Sequence, residues 1–498
     1  MKIIVIWLAG VSMVGCENFL QPEPESIATS ETFFQNDDQF IQATDAAYNQ
    51  LQQWVLQAHV LEEARSDNTH FDNGLNRGVL RSLVRIDWFV LVSDEPEIEN
   101  AWNTLFTGIK DANLPLSKLE DGIQNGAIDS DLGQRLEGEL KFLRAYFYFT
   151  AVRLWGNIPL ILEPFNSGLN TFEITQSPTD EVYDAIIQDL QDAESLLPAG
   201  YDNANLGRAT SGAAKAVLAK VHLWRGNYAD AETKLREIIN SNRYSLLADY
   251  SDIFDPQNKF NSEMIHEVPF KEGSEGESSN FLFQFSPVGG FPEVIPTLVG
   301  DGTWGKNLPT WQLVDAYDED DERKEVSIGY FDPGGANVPY IKKWDEATDE
   351  NFPRTNHNWP LIRYADVKLM LAEAINEQGY DTGEPFDLLN EIRDRAGLSA
   401  LTPVDLPDQE SFRQALLNER RFELAFENKR WYDLVRSGTA VETMRAHGEE
   451  AVENPSTPFT ETTPLDENAF NVESHMTLYP IPENELILNP NMEQNPGY

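Results

Sequence analysis

Cysteine is almost absent, with Cys16 the only one among 498 residues. That excludes disulfides and any zinc site built from cysteine thiolates. Basic residues are scarce too, 37 Lys and Arg against 83 Asp and Glu, for a net charge of -46. Such a chain repels phosphate backbones and anionic lipid heads, so nucleic acid is excluded as a partner. The acidic excess is spread along the sequence without forming a tail, and it reads as a solvated surface. Beyond the first residues no apolar run approaches the roughly 20 residues that cross a bilayer as a helix.

Several enzyme signatures are missing as well. There is no glycine-rich phosphate loop. His266-Glu267 begins like a zincin helix, but Phe270 stands where the second histidine belongs. Ser211 and Lys215 are one residue too far apart for a Ser-x-x-Lys nucleophile, and Ser211 reads as a helix cap. Asp318-Glu319-Asp320-Asp321-Glu322 lacks the alternating ligands and the glycine of a calcium loop, so it reads as an acidic turn. A glycosidase needs two carboxylates about 5–10 Å apart across a cleft. With 83 acidic residues, sequence alone neither supports nor removes such a pair. The expectation is a protein that is not an enzyme and needs no metal or cofactor.

What is present starts at the N-terminus. Lys2 precedes a nearly unbroken apolar run over residues 3–14, and Met13-Val14-Gly15-Cys16 places small and apolar residues before the thiol. The run is too short to span a membrane and reads as a cleaved lipoprotein signal over residues 1–15, with Cys16 as the acylated first residue of the mature chain. Several acyl chains, at roughly 0.8 kcal/mol per buried methylene, hold such a protein durably to a membrane.

Helical periodicity dominates up to about residue 240 and again after about 360. Residues 137–155 carry Leu140, Leu143, Phe147, Ala151 and Leu154 at helical spacing, closed by Gly156 and Pro159. Ser177-Pro178 reads as an N-cap and N1 proline, with Val182, Ile186, Leu190, Ala193 and Leu197 following on one face. Residues 212–225 form an alanine-rich helix that turns at Gly226-Asn227-Tyr228 into another carrying Ala231, Leu235 and Ile238. Leu154-Trp155-Gly156-Asn157 is echoed by Leu223-Trp224-Arg225-Gly226-Asn227 about 70 residues on, close to two periods of the roughly 34-residue tetratricopeptide repeat. Further hairpins are read at 364–376 with 386–396, and at 411–427 with 429–436. The predicted fold is all-α, a tetratricopeptide-like scaffold of stacked hairpins with a loop-rich insertion. That insertion spans 241–358, between helical regions at 16–240 and 359–498. A smaller irregular stretch lies near 65–100.

Six segments resemble the SusD/RagB family of Bacteroidetes surface lipoproteins. They are Leu143-Arg144-Ala145-Tyr146 with Trp155-Gly156-Asn157-Ile158-Pro159-Leu160; residues 208–228; Ile362-Arg363-Tyr364-Ala365-Asp366-Val367; Leu389-Asn390-Glu391-Ile392-Arg393-Asp394-Arg395-Ala396-Gly397-Leu398; Glu419-Arg420-Arg421-Phe422-Glu423-Leu424 with Arg430-Trp431-Tyr432-Asp433-Leu434-Val435-Arg436; and Tyr479-Pro480-Ile481-Pro482 with the closing Gln494-Asn495-Pro496-Gly497-Tyr498. They follow the family's order from end to end. The resemblance implies an outer-membrane lipoprotein that captures oligosaccharide or peptide. It would hand its ligand to a SusC-like TonB-dependent barrel transporter, without catalysis. Glycan is the first expectation and peptide the second, with a tetratricopeptide scaffold for envelope assembly as the reading from another class.

The charged residues of those motifs, Arg393, Arg395, Glu419, Arg420, Glu423, Arg430, Asp433 and Arg436, have the spacing of ion pairs between helices. Trp102, Trp155, Trp224 and Trp431 read as core, as do Trp311 and Tyr317. Sugar is bound by stacking on flat rings beside amides, carboxylates and guanidiniums, so loop aromatics with polar neighbours are the candidates. On that basis Asp67, Asn68, Phe71, Asn73, Arg77, Trp88 and Trp304 are the expected ligand residues, with Phe281, Phe283 and Phe285 as further aromatic content of the second loop region.

Overall fold

The computed structural model describes residues 33–71, 81–164, 174–272, 277–290, 294, 304–332, 334, 337–344, 355–453 and 465–498. Cys16 and the signal segment, Asn73 and Arg77 lie outside the described residues. The first half supplies α1 (Asp37–Glu62), α2 (Arg81–Asp87), α3 (Pro96–Asn125), α4 (Ser130–Trp155), α5 (Thr179–Leu196), α6 (Ser211–Trp224) and α7 (Tyr228–Asn240). Among the described residues the middle region adds the short α-helices α8 (Phe281–Phe285), α9 (Trp311–Ala316) and α10 (Arg323–Ser327). The last part holds α11 (Tyr364–Gln378), α12 (Glu384–Arg395), α13 (Gln409–Glu423), α14 (Arg430–Arg436), α15 (Ala440–Glu453) and α16 (Glu483–Leu488). The fold is all-α, as the periodicity predicts. No helix among the described residues is long and apolar enough to cross a membrane.

The long helices stack in sequence. α3 lies between α1 and α4, α4 packs on α5, α5 on α6 and α6 on α7; α11 then continues the stack from α7 and carries α12 and α13 on its other sides. Each hairpin hides an apolar stripe that it cannot bury alone, so stacking joins the stripes into one buried cluster running from Phe34 to Met492. Close approach is built in where α3 meets α4. A Cβ on Gly108 would fall 2.5 Å from the Phe147 ring, so the absence of a side chain there seats the aromatic. The α6–α7 turn uses Gly226 at φ +72°, a left-handed conformation glycine adopts without a Cβ clash.

Two helix starts differ from the sequence reading by one residue. Thr210, not Ser211, caps α6, its hydroxyl accepting from the Ala213 N–H. Pro178 occupies the cap position of α5, while Ser177 instead bridges to Ile158. α5 starts one residue later, the Ser177 N–H being held by the Ile158 carbonyl, whereas α6 starts one residue earlier, with the N–H of its first residue, Ser211, taken up by the Pro198 carbonyl.

Among the described residues there are three two-stranded antiparallel sheets, two of which tie the middle region to the rest of the chain. β1 (Thr69–His70) pairs with β3 (Leu308–Pro309), β2 (Met264–Val268) with β6 (Trp359–Arg363), and β4 (Ile328–Phe331) with β5 (Val338–Ile341). His266-Glu267 therefore lies in a strand, not a helix. Phe281, Phe283 and Phe285 all sit in α8 and are buried; Phe281 packs on Trp344 and Trp359 at 5.6 and 4.8 Å between ring centroids. These rings build the core under the loops and present no face to a ligand.

The motif charges form the expected pairs between helices. Arg393 meets Glu419 at 3.0 Å, Arg395 reaches Glu263 and Glu423 at 2.6 Å each, Arg420 lies between Asp366 and Asp433 at 2.8 and 2.9 Å, and Arg436 pairs with Glu373. Asp321 of the acidic turn is buried and bound to Arg323, so that carboxylate is committed to an ion pair. Trp102, Trp155, Trp431 and Tyr317 are buried, as their spacing predicts; Trp224 is partly exposed and packs edge-on against Tyr432.

Candidate functional site: a polar groove beside an aromatic pair

The β1–β3 pairing brings two distant loop segments together. Beyond it, the Thr310 N–H donates to the Asn68 carbonyl at 2.9 Å and its hydroxyl donates to the Asp67 carbonyl at 2.8 Å. The same hydroxyl accepts from the Leu313 N–H and so caps α9. One threonine therefore starts α9 and clamps it to the Asp67 segment. Beside this joint, α9, α13 and α15 enclose an open groove of about 750 Å³.

Helical spacing sets what each wall offers. Gln312, Asp315 and Ala316 face in from α9; Gln414, Leu417, Asn418 and Arg421, at i, i+3, i+4 and i+7, come from α13; Glu442, Thr443, Ala446, His447 and Glu450 come from α15. Asp67 and Arg430 form the floor. One turn before Asp315 on α9, the Trp311 ring stacks on Tyr330 with centroids 6.2 Å apart and planes 22° from parallel. Tyr330 is 46% exposed, so a broad aromatic surface meets solvent. Partial burial and the nearby Asp315 carboxylate raise the Tyr330 phenol, which places that ring beside the groove wall.

The charges of the floor are paired with one another. Arg430 grips both oxygens of Asp67 through Nε and Nη2 at 2.8 and 2.9 Å, and Arg421 adds Nη2 at 2.9 Å while its Nε donates to Asn68 Oδ1 at 2.8 Å. Burial pushes the Asp67 carboxyl up, but the charges of Arg421 and Arg430 outweigh it and hold the group well below the usual carboxylate range. Burial lowers His447 to about 4, so its imidazole is neutral at pH 7, with Nδ1 facing Gln312 Oε1.

The sequence candidates fare unequally. Asp67 reaches the groove, but as a carboxylate clamped by two arginines. Asn68 is fully buried beside it. Phe71 is 0% exposed, its N–H donating to Asp87 Oδ2, and Trp88 is 4% exposed, with its carbonyl accepting from the Phe470 N–H. For Asn68, Phe71 and Trp88, packing removes the side chain from any ligand-facing surface, which corrects the expectation drawn from their loop setting. Trp304 keeps partial exposure, with the Lys306 ammonium 5.1 Å from its ring centroid. Trp311, read as core, is partly buried and packs against the core cluster, while its ring also stacks on Tyr330. Neither aromatic had a local signal, because a tryptophan opening a six-residue helix has no period by which its face can be assigned.

Two other concavities are less suited to a sugar. One, about 70 Å³, lies among Glu62, Lys220, Lys429 and Tyr432 and holds room for a couple of waters at roughly 30 Å³ each. The other, about 500 Å³, runs along α3 and is lined largely by hydrocarbon from Trp102, Phe106, Ile161, Leu488 and Met492.

Comparison with known proteins agrees with this architecture. The family model described as SusD family matches residues 333–498, and one described as starch-binding associating with outer membrane matches residues 18–223. SusD-like protein P25 of Formosa agariphila is 28% identical, the match covering 98% of this chain and 97% of that protein. The starch-binding protein SusD of Bacteroides thetaiotaomicron is 26% identical, the match covering 73% of each chain. A solved laminarin-binding SusD-like protein superposes with a TM-score of 0.77 at 26% identity, over 93% of this chain and 100% of that one. Fold and matches together define a helical-repeat protein of the SusD type. The chain belongs to the SusD family.

Proposed function

We propose that this protein captures oligosaccharides in the groove between α9, α13 and α15 and delivers them to a TonB-dependent barrel transporter in the outer membrane, to which acylated Cys16 tethers it. The observation that carries the reading is a groove walled by amides, hydroxyls and carboxylates with the Trp311–Tyr330 stack beside Asp315 of its α9 wall. A pyranose lays its C–H face on such a ring, and its hydroxyls need the dense donors and acceptors behind it. A starch-binding relative and a laminarin-binding SusD-like structure support the same ligand class. We read the protein as a binder without catalysis, and the division at about residues 240 and 358 as the family's scaffold and insertion.

Titration of the chain beginning after Cys16 with starch and laminarin oligosaccharides tests this. Tyr330→Ala and the double change with Trp311→Ala are each expected to weaken binding about tenfold or more, equivalent to about 1.4 kcal/mol. Tyr330→Ala should leave the melting temperature in place, because nearly half of the residue is exposed. Unchanged affinity in the double variant would remove the groove as the site. Release of shortened sugars from purified protein would remove the non-catalytic reading, and pull-down of the lipidated protein without a barrel partner would remove the transporter.

A further inference from the structure

We infer that the groove selects uncharged oligosaccharides and turns away uronate or sulfated ones. This rests on the reading that the groove takes glycan, and it follows from how the charges there are disposed. Proteins that recognise carboxylate or sulfate groups commonly present an arginine fork whose parallel N–H groups match two ligand oxygens. Here both guanidiniums spend their Nε and Nη2 donors on protein acceptors. Arg430 gives Nε and Nη2 to Asp67, and Arg421 divides its donors between Asp67 and Asn68. The remaining Arg430 nitrogen, Nη1, is sealed from solvent and has no hydrogen-bond partner among the described residues. The third basic group, His447, is buried and uncharged near neutral pH.

The charge a ligand does meet is negative. Asp315, Glu442 and Glu450 are all exposed at the rim, the last two standing on one face of α15 two turns apart with Ala446 between them. With Asp67, four carboxylates face two guanidiniums around the groove. A chain of net charge -46 adds a background field of the same sign. The uncharged remainder of the wall, Gln312, Gln414, Asn418, Thr439 and Thr443, offers both donors and acceptors to sugar hydroxyls without a charge cost.

The test uses the chain beginning after Cys16, with laminarin as the neutral probe and alginate oligosaccharides and a sulfated galactan as the acidic ones. At about 25 mM salt the acidic probes should bind at least about tenfold more weakly, and the gap should narrow at about 500 mM as screening shortens the reach of the rim charges. The triple variant Asp315→Asn, Glu442→Gln, Glu450→Gln changes only exposed side chains. It should raise acidic-probe affinity relative to laminarin about fivefold or more at low salt, since the amides keep hydrogen-bonding atoms for sugar hydroxyls and drop the charge; an unchanged ratio would overturn the inference. Acidic probes binding more tightly than laminarin, and weakening as salt rises, would overturn the inference while leaving oligosaccharide capture standing. Failure of every probe, neutral and acidic, would bring down capture itself.

Discussion

Replacing Arg363 with alanine is expected to lower the unfolding free energy by about 3–5 kcal/mol, because it strands several buried carboxylates at once. Arg363 is 1% exposed and donates to Glu263 at 2.6 Å, to Glu423 at 3.0 Å, to both oxygens of Glu427 at 2.8 and 2.9 Å, and to the Glu423 carbonyl at 2.9 Å. Around it, Arg323, Lys343, Arg393 and Arg395 complete a network in which cations and anions are equal in number, with Asp321 and Glu419 as the remaining acids. Desolvating these ions is costly, and their mutual attraction offsets the cost only while every partner is present. Urea denaturation at pH 7 measures the loss; a variant within about 1 kcal/mol of the parent would mean that water enters and solvates the stranded acids.

The same network carries a pH signature. Burial alone raises Glu423, but Arg395, Arg363 and Arg323 outweigh it and draw the group down to about 2. A carboxyl with a depressed folded pKa contributes stability that is present above its unfolded value of about 4.3 and is lost as pH falls toward the folded one. Parent stability should therefore drop between about pH 4.3 and about pH 2. Because Arg363→Ala removes one of the charges that depress Glu423, the gap between parent and variant should close over that window.

The scaffold was legible because its signals are local and repeated. Gly226 between two apolar periods, Leu140 to Leu154 at helical spacing and the Leu-Trp echo each state a hairpin independently of what packs on it. The charged motifs were legible too, since Arg420, Glu423 and Asp433 fall on facing turns of α13 and α14. The groove was not. Its walls come from α9, α13 and α15, more than 120 residues apart along the chain between the first and last, and Asp67 reaches them only through a strand pairing two residues long. Nothing local distinguishes Trp88, buried beneath Phe470, from Trp304, partly open, because both lie in stretches without helical period. Composition identified the loops that carry aromatics, whereas burial, a property of the folded chain, decides which rings a sugar can touch.

Asp67→Ala is expected to destabilise the fold by a similar about 3–5 kcal/mol, and the result separates two roles for the one sequence candidate that lines the groove. Its carboxylate is the counter-charge to Arg421 and Arg430, so its loss leaves two largely buried guanidiniums facing each other at the junction of β1, α13 and α14. The depressed Asp67 carboxyl makes its contribution above an unfolded value of about 3.9, and that contribution fades as pH falls below it. The triple change Asp67→Leu, Arg421→Met, Arg430→Met removes all three charges together and is expected to recover most of the loss, since hydrocarbon of similar volume replaces a costly set of buried ions. If Asp67 only holds the floor, the triple variant also regains laminarin binding to within a few-fold of the parent. A single Asp67→Ala variant that melts with the parent yet binds laminarin more than about tenfold worse would instead make this carboxylate a direct partner of the sugar, the role its loop position first implied.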